Sequence, residues 1–181
     1  MFNLWRTTTL KDQLFRYDRR MGTSRSFTDE ERRTWAPLTA VLELLPSRVD
    51  AQLMRDEGLT HFDYATLSML ALADDRRMRM SELATGVNAT LSRLSHAISR
   101  LEARGLVRRA PTPGDARATT VELTPDGRRK VIRATPQHVR TVRELVFDAL
   151  DDEQRHQLHE ITVALLSRLD PDQRMLASRM S

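Results

Sequence analysis

Between Met80 and Leu123 the chain collects side chains suited to contacting a polyanion. Thr90, Ser92, Arg93, His96 and Arg100 bring hydroxyl, imidazole and guanidinium groups within eleven residues, and no acid interrupts them before Glu102. Arginine can donate two parallel hydrogen bonds to guanine, while serine, threonine and histidine reach base edges or phosphate oxygens. A second set follows: Arg108 and Arg109, then Asp115 and Arg117 around a Pro-Thr-Pro-Gly turn. An arginine at a hairpin tip suits a narrow minor groove, where the negative potential is deepest. Asp115 beside it would orient the guanidinium; facing phosphate directly it would be repelled.

These groups need elements that aim them. Asn88 reads as the N-cap of a helix running to about Arg104 and closed by Gly105. Leu91, Leu94, Ile98 and Leu101 recur at helical spacing and form its inner stripe, which leaves Ser92, Arg93, His96 and Arg100 outward. Ser81 reads as the cap of a preceding helix of under two turns, with Leu83, Ala84 and Val87 inside and Gly86 at the turn. Downstream, Leu106–Ala110 and Arg117–Leu123 read as two strands, with Val121 and Leu123 alternating against Thr120 and Glu122. A short helix, a tight turn, a longer amphipathic helix and a basic hairpin together make a device for placing one helix in a DNA major groove.

The flanks supply long helices. Thr28-Asp29-Glu30-Glu31 is a capping box, and Trp35, Leu38, Val41, Leu42 and Leu45 follow as an apolar stripe. Pro37 and Pro46 interrupt that stripe, so the expectation is a bent helix or two segments meeting near Leu45-Pro46, ended by Gly58. A crowded apolar helix follows over about Thr60–Ala73, and Met78–Met80 reads as a very short strand. Thr124-Pro125 starts another helix, interrupted at Pro136. Asp151 caps a last one, striped by Leu158, Ile161, Leu165 and Leu169. A small winged domain has no core large enough to cover these terminal stripes, and pairing two copies across a two-fold axis would.

Charge follows the same division. Residues 76–133 hold thirteen Lys/Arg against five acids, a balance of +8, while the remainder carries −4 of the net +4. A positive stretch of this kind is the footprint a nucleic-acid partner needs. With no cysteine, disulfides and thiolate metal sites are excluded. No apolar run is long enough to span a membrane, and the N-terminal stretch has no secretory pattern; both fit a cytoplasmic location. Residues 1–27 are basic, and two readings stay open: an arm laid along the DNA backbone, or translation that begins at Met21.

Met80-Ser81-Glu82-Leu83-Ala84, Leu91-Ser92-Arg93-Leu94, Leu101-Glu102-Ala103-Arg104-Gly105-Leu106-Val107 and Gly114-Asp115-Ala116-Arg117 through Leu123-Thr124-Pro125-Asp126-Gly127 occur in order. This set resembles the MarR family of bacterial transcriptional regulators, over about residues 29–170. The resemblance implies a homodimeric winged helix-turn-helix protein with interlocking terminal helices, and it puts Asp115 and Arg117 at the family's wing-tip positions. It also implies a small anionic aromatic effector held between the dimer helices and the winged domain. Trp35, His61, Phe62 and Tyr64 are candidates for such a pocket but equally suit core packing, and none is assigned. The absence of cysteine excludes the thiol-oxidation branch of the family.

Chemistry of other kinds finds no support. His156 and His159 have a metal-compatible spacing but no third ligand, so a solvated pair is the better reading. Phosphate-binding glycine loops and the HExxH and GxSxG patterns are absent. The expectation is a non-enzymatic, mainly α protein with a small β-wing: a winged helix-turn-helix domain with N- and C-terminal dimerisation helices. Its parts are a basic extension (1–27), the winged domain (28–170, with a DNA-binding lobe at 60–123 and dimerisation helices at 28–57 and 124–170) and a tail (171–181). The partners are double-stranded DNA and a second copy, with no cofactor and no metal. DNA contacts fall to Thr90, Ser92, Arg93, His96, Arg100, Arg108, Arg109, Asp115 and Arg117, and the function is sequence-specific regulation of transcription as a ligand-responsive repressor. The alternative is a winged-helix dimer whose basic face holds an acidic protein.

Overall fold

The computed structural model describes residues 26–112, 115–175 and 177–179, with only the backbone for Thr112 and residues 115–118. The basic arm before residue 26 and the Pro113-Gly114 tip lie outside the described residues, as do the side chains of Asp115 and Arg117. The chain forms two compact units that divide between Leu44 and Leu45.

Helix α1 (Asp29–Glu57) runs through that division. Its start is the expected capping box: the Glu31 N–H donates to Thr28 Oγ1 at 3.1 Å and the Thr28 N–H to Glu31 Oε2 at 2.7 Å. Of the two expected outcomes, a bent helix or two segments, the structure excludes the second: α1 continues unbroken through Pro37 and Pro46. Each proline removes one ladder donor, and the good helix formers on either side carry the helix across. Gly58 then ends it at φ +61, a left-handed turn that a side chain would resist.

The second unit is built on a single core. Helices α2 (His61–Leu72), α3 (Met80–Gly86) and α4 (Leu91–Ala103) pack with a three-stranded antiparallel sheet. The strands are β1 (Arg77–Arg79), β2 (Val107–Thr112) and β3 (Asp115–Leu123), in the order β1-β3-β2. Leu67, Leu70, Leu83, Leu94, Ile98, Leu101 and Val121 are fully buried here. Each contributes about 1.5–3 kcal/mol, enough to fix where α4 lies. Helix α5 (Pro125–Leu145) starts at Thr124, whose hydroxyl accepts the Gly127 N–H at 3.0 Å, and it too continues through its internal Pro136. A second cluster joins Val49 and Leu53 of α1 to Ala134 of α5. Beside it Glu57 pairs with Lys130 at 2.8 Å and Arg133 at 2.9 Å. Burial opposes the Glu57 charge, but these two hydrogen-bonded cations outweigh it and hold the carboxyl below its usual range.

Helix α6 (Asp152–Leu169) is capped by Asp151 as expected, and none of its residues is buried. No helix among the described residues is long and apolar enough to cross a membrane.

Local assignments shift in several places: the strands expected at Leu106–Ala110 and Arg117–Leu123 run over Val107–Thr112 and Asp115–Leu123, and Gly86, expected at the turn, lies inside α3. Strand β1 begins one residue earlier than expected, at Arg77. Helix α3 begins at Met80, with Ser81 inside it, because Glu82 accepts the Arg79 N–H at 3.2 Å and supplies the cap. Thr90, not Asn88, caps α4: its hydroxyl accepts the Arg93 N–H at 3.2 Å. Asn88 instead makes the turn at φ +49, a conformation its short amide tolerates. Leu91, expected to anchor α4, is 55% exposed at the helix entrance, and Ala97 takes its place in the core.

Candidate nucleic-acid interface

Helices α3 and α4 and the turn at residues 87–90 form the helix-turn-helix, and β2 with β3 forms the wing. The core side of α4 is Leu94, Ala97, Ile98 and Leu101. At 100° per residue the opposite ridge carries Ser92, His96 and Ser99. All three are exposed. Among the described residues the side chains of Ser92 and His96 have no hydrogen-bond partner within the chain, which leaves hydroxyl and imidazole open to an external one. Ser99, which the sequence reading passed over, lies on the same ridge; a helical wheel that included Ala97 in the core would have found it.

The two flanks of α4 are tied down. On one side Arg93 lays its guanidinium over the Phe62 ring, 4.3 Å from the centroid. Arg100 Nη2 donates to Asp63 Oδ1 at 3.1 Å, and Arg104 Nη1 donates to the Gly58 carbonyl at 2.9 Å. On the other side Arg109 of β2 donates from its backbone N–H to Glu102 at 2.8 Å. Its guanidinium reaches the Ser95 carbonyl at 3.1 Å, Ser99 Oγ at 2.9 Å and Glu102. The backbone bond from Arg109 is the largest influence on the Glu102 carboxyl and, with its guanidinium, outweighs the cost of burial and holds the group below its usual range. Arg93, Arg100 and Arg109 thus border the open ridge, each with a partner inside the chain.

Strand geometry separates Arg108 from Arg109. Successive residues of a strand point to opposite faces, so Arg109 shares the inner face with buried Val107 while Arg108 stands on the other, exposed, with Glu122 across the ladder at 2.6 Å. The hairpin is in register from Val107↔Leu123 to Pro111↔Thr119, and an irregularity between Pro111 and Thr112 leads into Thr112↔Asp115. It carries the backbone of Asp115 and Arg117 to the far end of the wing.

A cleft of about 1540 Å³ lies in the second unit, lined mainly by α1 and α2 and reached by Arg93 of α4. Asp50, His61, Phe62, Tyr64, Arg93 and His138 are among its lining residues. Three of the four aromatic candidates therefore face one cavity. The fourth, Trp35, stacks on Phe27 at 6.0 Å in the first unit. His156 meets Glu160 at 3.4 Å, and no group of three or more possible metal ligands occurs among the described residues.

A profile of the MarR family matches residues 57–118, which hold α2, the helix-turn-helix and most of the wing. Among solved structures the chain is similar to Sco3205, a MarR family transcriptional regulator from Streptomyces coelicolor crystallised in complex with DNA. The two are 41% identical over 83% of this chain and 94% of that one, with a TM-score of 0.78. AbsC, another MarR family regulator of that organism, is 35% identical over 81% of this chain and 98% of its own, with a TM-score of 0.75. The transcriptional repressor MprA of Escherichia coli K12 is 25% identical over 119 residues, 66% of this chain and 67% of MprA. Identity at this level across nearly the whole of Sco3205, on the same winged helix-turn-helix, settles the kinship: the chain belongs to the MarR family of transcriptional regulators, which are not enzymes.

Proposed function

We propose that the protein is a ligand-responsive repressor that binds a pseudo-palindromic operator in double-stranded DNA as a homodimer. The observation that carries this reading is the ridge of α4: hydrogen-bonding side chains, free of acids, turned outward between two flanks of arginine. In this reading Thr90, Ser92 and His96 enter the major groove, with Arg93, Arg100 and Arg109 at its borders. Arg108 and the Asp115–Arg117 pair extend the contact along the wing to the adjacent minor groove. One such helix reads only a few base pairs, so specificity needs two copies about one DNA turn, roughly 34–36 Å, apart. That Sco3205, 41% identical to this chain, was crystallised in complex with DNA supports DNA binding here.

The cleft lined by Phe62 and Arg93 supports the ligand response. Arg93 is itself a residue of α4, so an aromatic anion seated there touches the reading helix. Such a ligand releases DNA only to the extent that it binds better to a dimer whose two reading helices are wrongly spaced.

Selection of bound sequences from a random DNA pool tests the reading. The expected result is an inverted repeat with half-site centres one turn apart, bound more weakly as salt rises because counterions are released. Ser92→Ala with His96→Ala should abolish the preference for that repeat while leaving binding to arbitrary duplex in place. No enriched sequence, or binding indifferent to salt, would overturn the reading in favour of a protein-binding scaffold.

A further inference from the structure

The corner between α1 and α2 holds a carboxylate whose position is unusual for a chain that meets phosphate. Asp63 is 4% exposed. It belongs to the capping box of α2, where its N–H donates to Thr60 Oγ1 at 3.0 Å and its Oδ2 accepts the Thr60 N–H at 3.3 Å. That box leaves Asp63 Oδ1 aimed at α4, where Arg100 Nη2 meets it at 3.1 Å. The neighbouring residues bind the same helix. Phe62 lies under Arg93, and the Gly58 carbonyl accepts from Arg104. Arg93, Arg100 and Arg104 are spaced seven and four residues apart, which puts them on one stripe of α4. All three of their partners come from residues 58–63.

On the DNA-binding reading above, we infer that Asp63 is the positioning residue of the DNA-reading helix, acting through Arg100 to set which ridge of α4 enters the groove. Leu94, Ala97, Ile98 and Leu101 bury one face of α4, and because apolar attraction is non-directional, small rotations of the helix about its axis are settled by its polar contacts. A directional bond near the middle of the helix limits that rotation. One step of the helical wheel is 100°, so a modest roll moves Ser92 and His96 off the bases. A contact to phosphate that drew the Arg100 guanidinium off Asp63 would leave that buried carboxylate without its cation. Asp63 therefore acts on DNA without touching it.

The two roles give opposite results. Full-length wild type, Asp63→Asn, Arg100→Gln, the double variant and Arg100→Lys are titrated by fluorescence anisotropy against a selected operator duplex and a scrambled one, over a range of salt. Positioning predicts that Asp63→Asn and Arg100→Gln each weaken operator binding about tenfold or more. The double variant should be no worse than the weaker-binding single one. Affinity for scrambled duplex and its salt slope should be unchanged, and Arg100→Lys, which keeps a cation opposite Asp63, should recover most of the operator affinity. Should Asp63→Asn prove too unstable to assay, the comparison of Arg100→Gln with Arg100→Lys and the salt slope decide the question alone. Operator binding by Asp63→Asn equal to or tighter than wild type overturns the inference, because it shows an Arg100 released to phosphate. So does a salt slope reduced by about one in Arg100→Gln. A wild-type chain that does not prefer the selected duplex over the scrambled one overturns the DNA-reading proposal itself, and this inference with it.

Discussion

His138 shows how much a single side chain can carry unseen in a sequence. Its ring lies 4.6 Å from that of Tyr64 and 6.3 Å from that of His61, and its Nδ1 is buried with no hydrogen-bond partner among the described residues. Burial holds both imidazoles below the usual histidine range. His61 adds to the effect at His138, and Asp50, which accepts the His61 backbone N–H at 2.8 Å, opposes it at His61. Above about pH 6.5 the folded and unfolded chains agree on these two groups. Below it the unfolded chain takes up protons that the folded one refuses, so stability falls with pH until the depressed folded values are passed. The fall in melting temperature between pH 8 and pH 5.5 should therefore be smaller in His138→Phe than in wild type. An equal fall in both would show that His138 contributes nothing to acid sensitivity. The sequence marked Arg93 and Arg100 as outward because they lie off the apolar stripe, and outward they are. It could not mark that an aromatic ring and a carboxylate over thirty residues upstream were waiting for them, since periodicity within one helix says nothing about what stands beside it.

Elements were most legible where the determinants are local. The capping box at Thr28, the left-handed glycines at 58 and 105 and the Thr124-Pro125 start rest on neighbouring residues, and the structure has each of them in place. The prolines misled as to a break because the helix formers beside them carry α1 and α5 across despite the lost donor. Asn88 misled because Asn suits both a cap and a left-handed turn, and Thr90 two residues later is as good a cap. One feature of α5 has no local signal at all. A Cβ at Gly127 would collide with the Leu106 carbonyl oxygen and press on Leu123, so glycine is there to let the first turn of α5 lie against the base of the wing. Gly127→Ala should destabilise the second unit by about 1–3 kcal/mol or more, despite the higher helix propensity of alanine. Urea unfolding measures it; an unchanged or raised midpoint would mean that the helix start can slide away from β2.

At the scale of the whole molecule, the terminal helices leave apolar surface that nothing among the described residues covers. On α6, Ile161, Leu165 and Leu169 are 57%, 45% and 80% exposed, and α1 and α5 expose Val41, Leu42, Ile132 and Val139 among others. An eighteen-residue helix with no buried residue has little to hold it in water, because isolated helices of such length are marginal and depend on packing an apolar face. On the proposed reading a second copy would supply that packing, and the symmetry of a two-fold dimer is also what an inverted-repeat operator would demand. Light scattering should therefore give twice the 20.8 kDa chain mass for wild type. Ile161→Glu with Leu165→Glu should give monomers whose second-unit core still unfolds cooperatively. Those monomers should lose operator affinity far more than affinity for arbitrary duplex, since each copy still meets phosphate but the second reading helix is no longer held at a fixed distance from the first. A wild-type chain that is monomeric at micromolar concentration, or a double variant that binds the operator as tightly as wild type, would separate DNA reading from dimerisation and leave these apolar faces to some other partner.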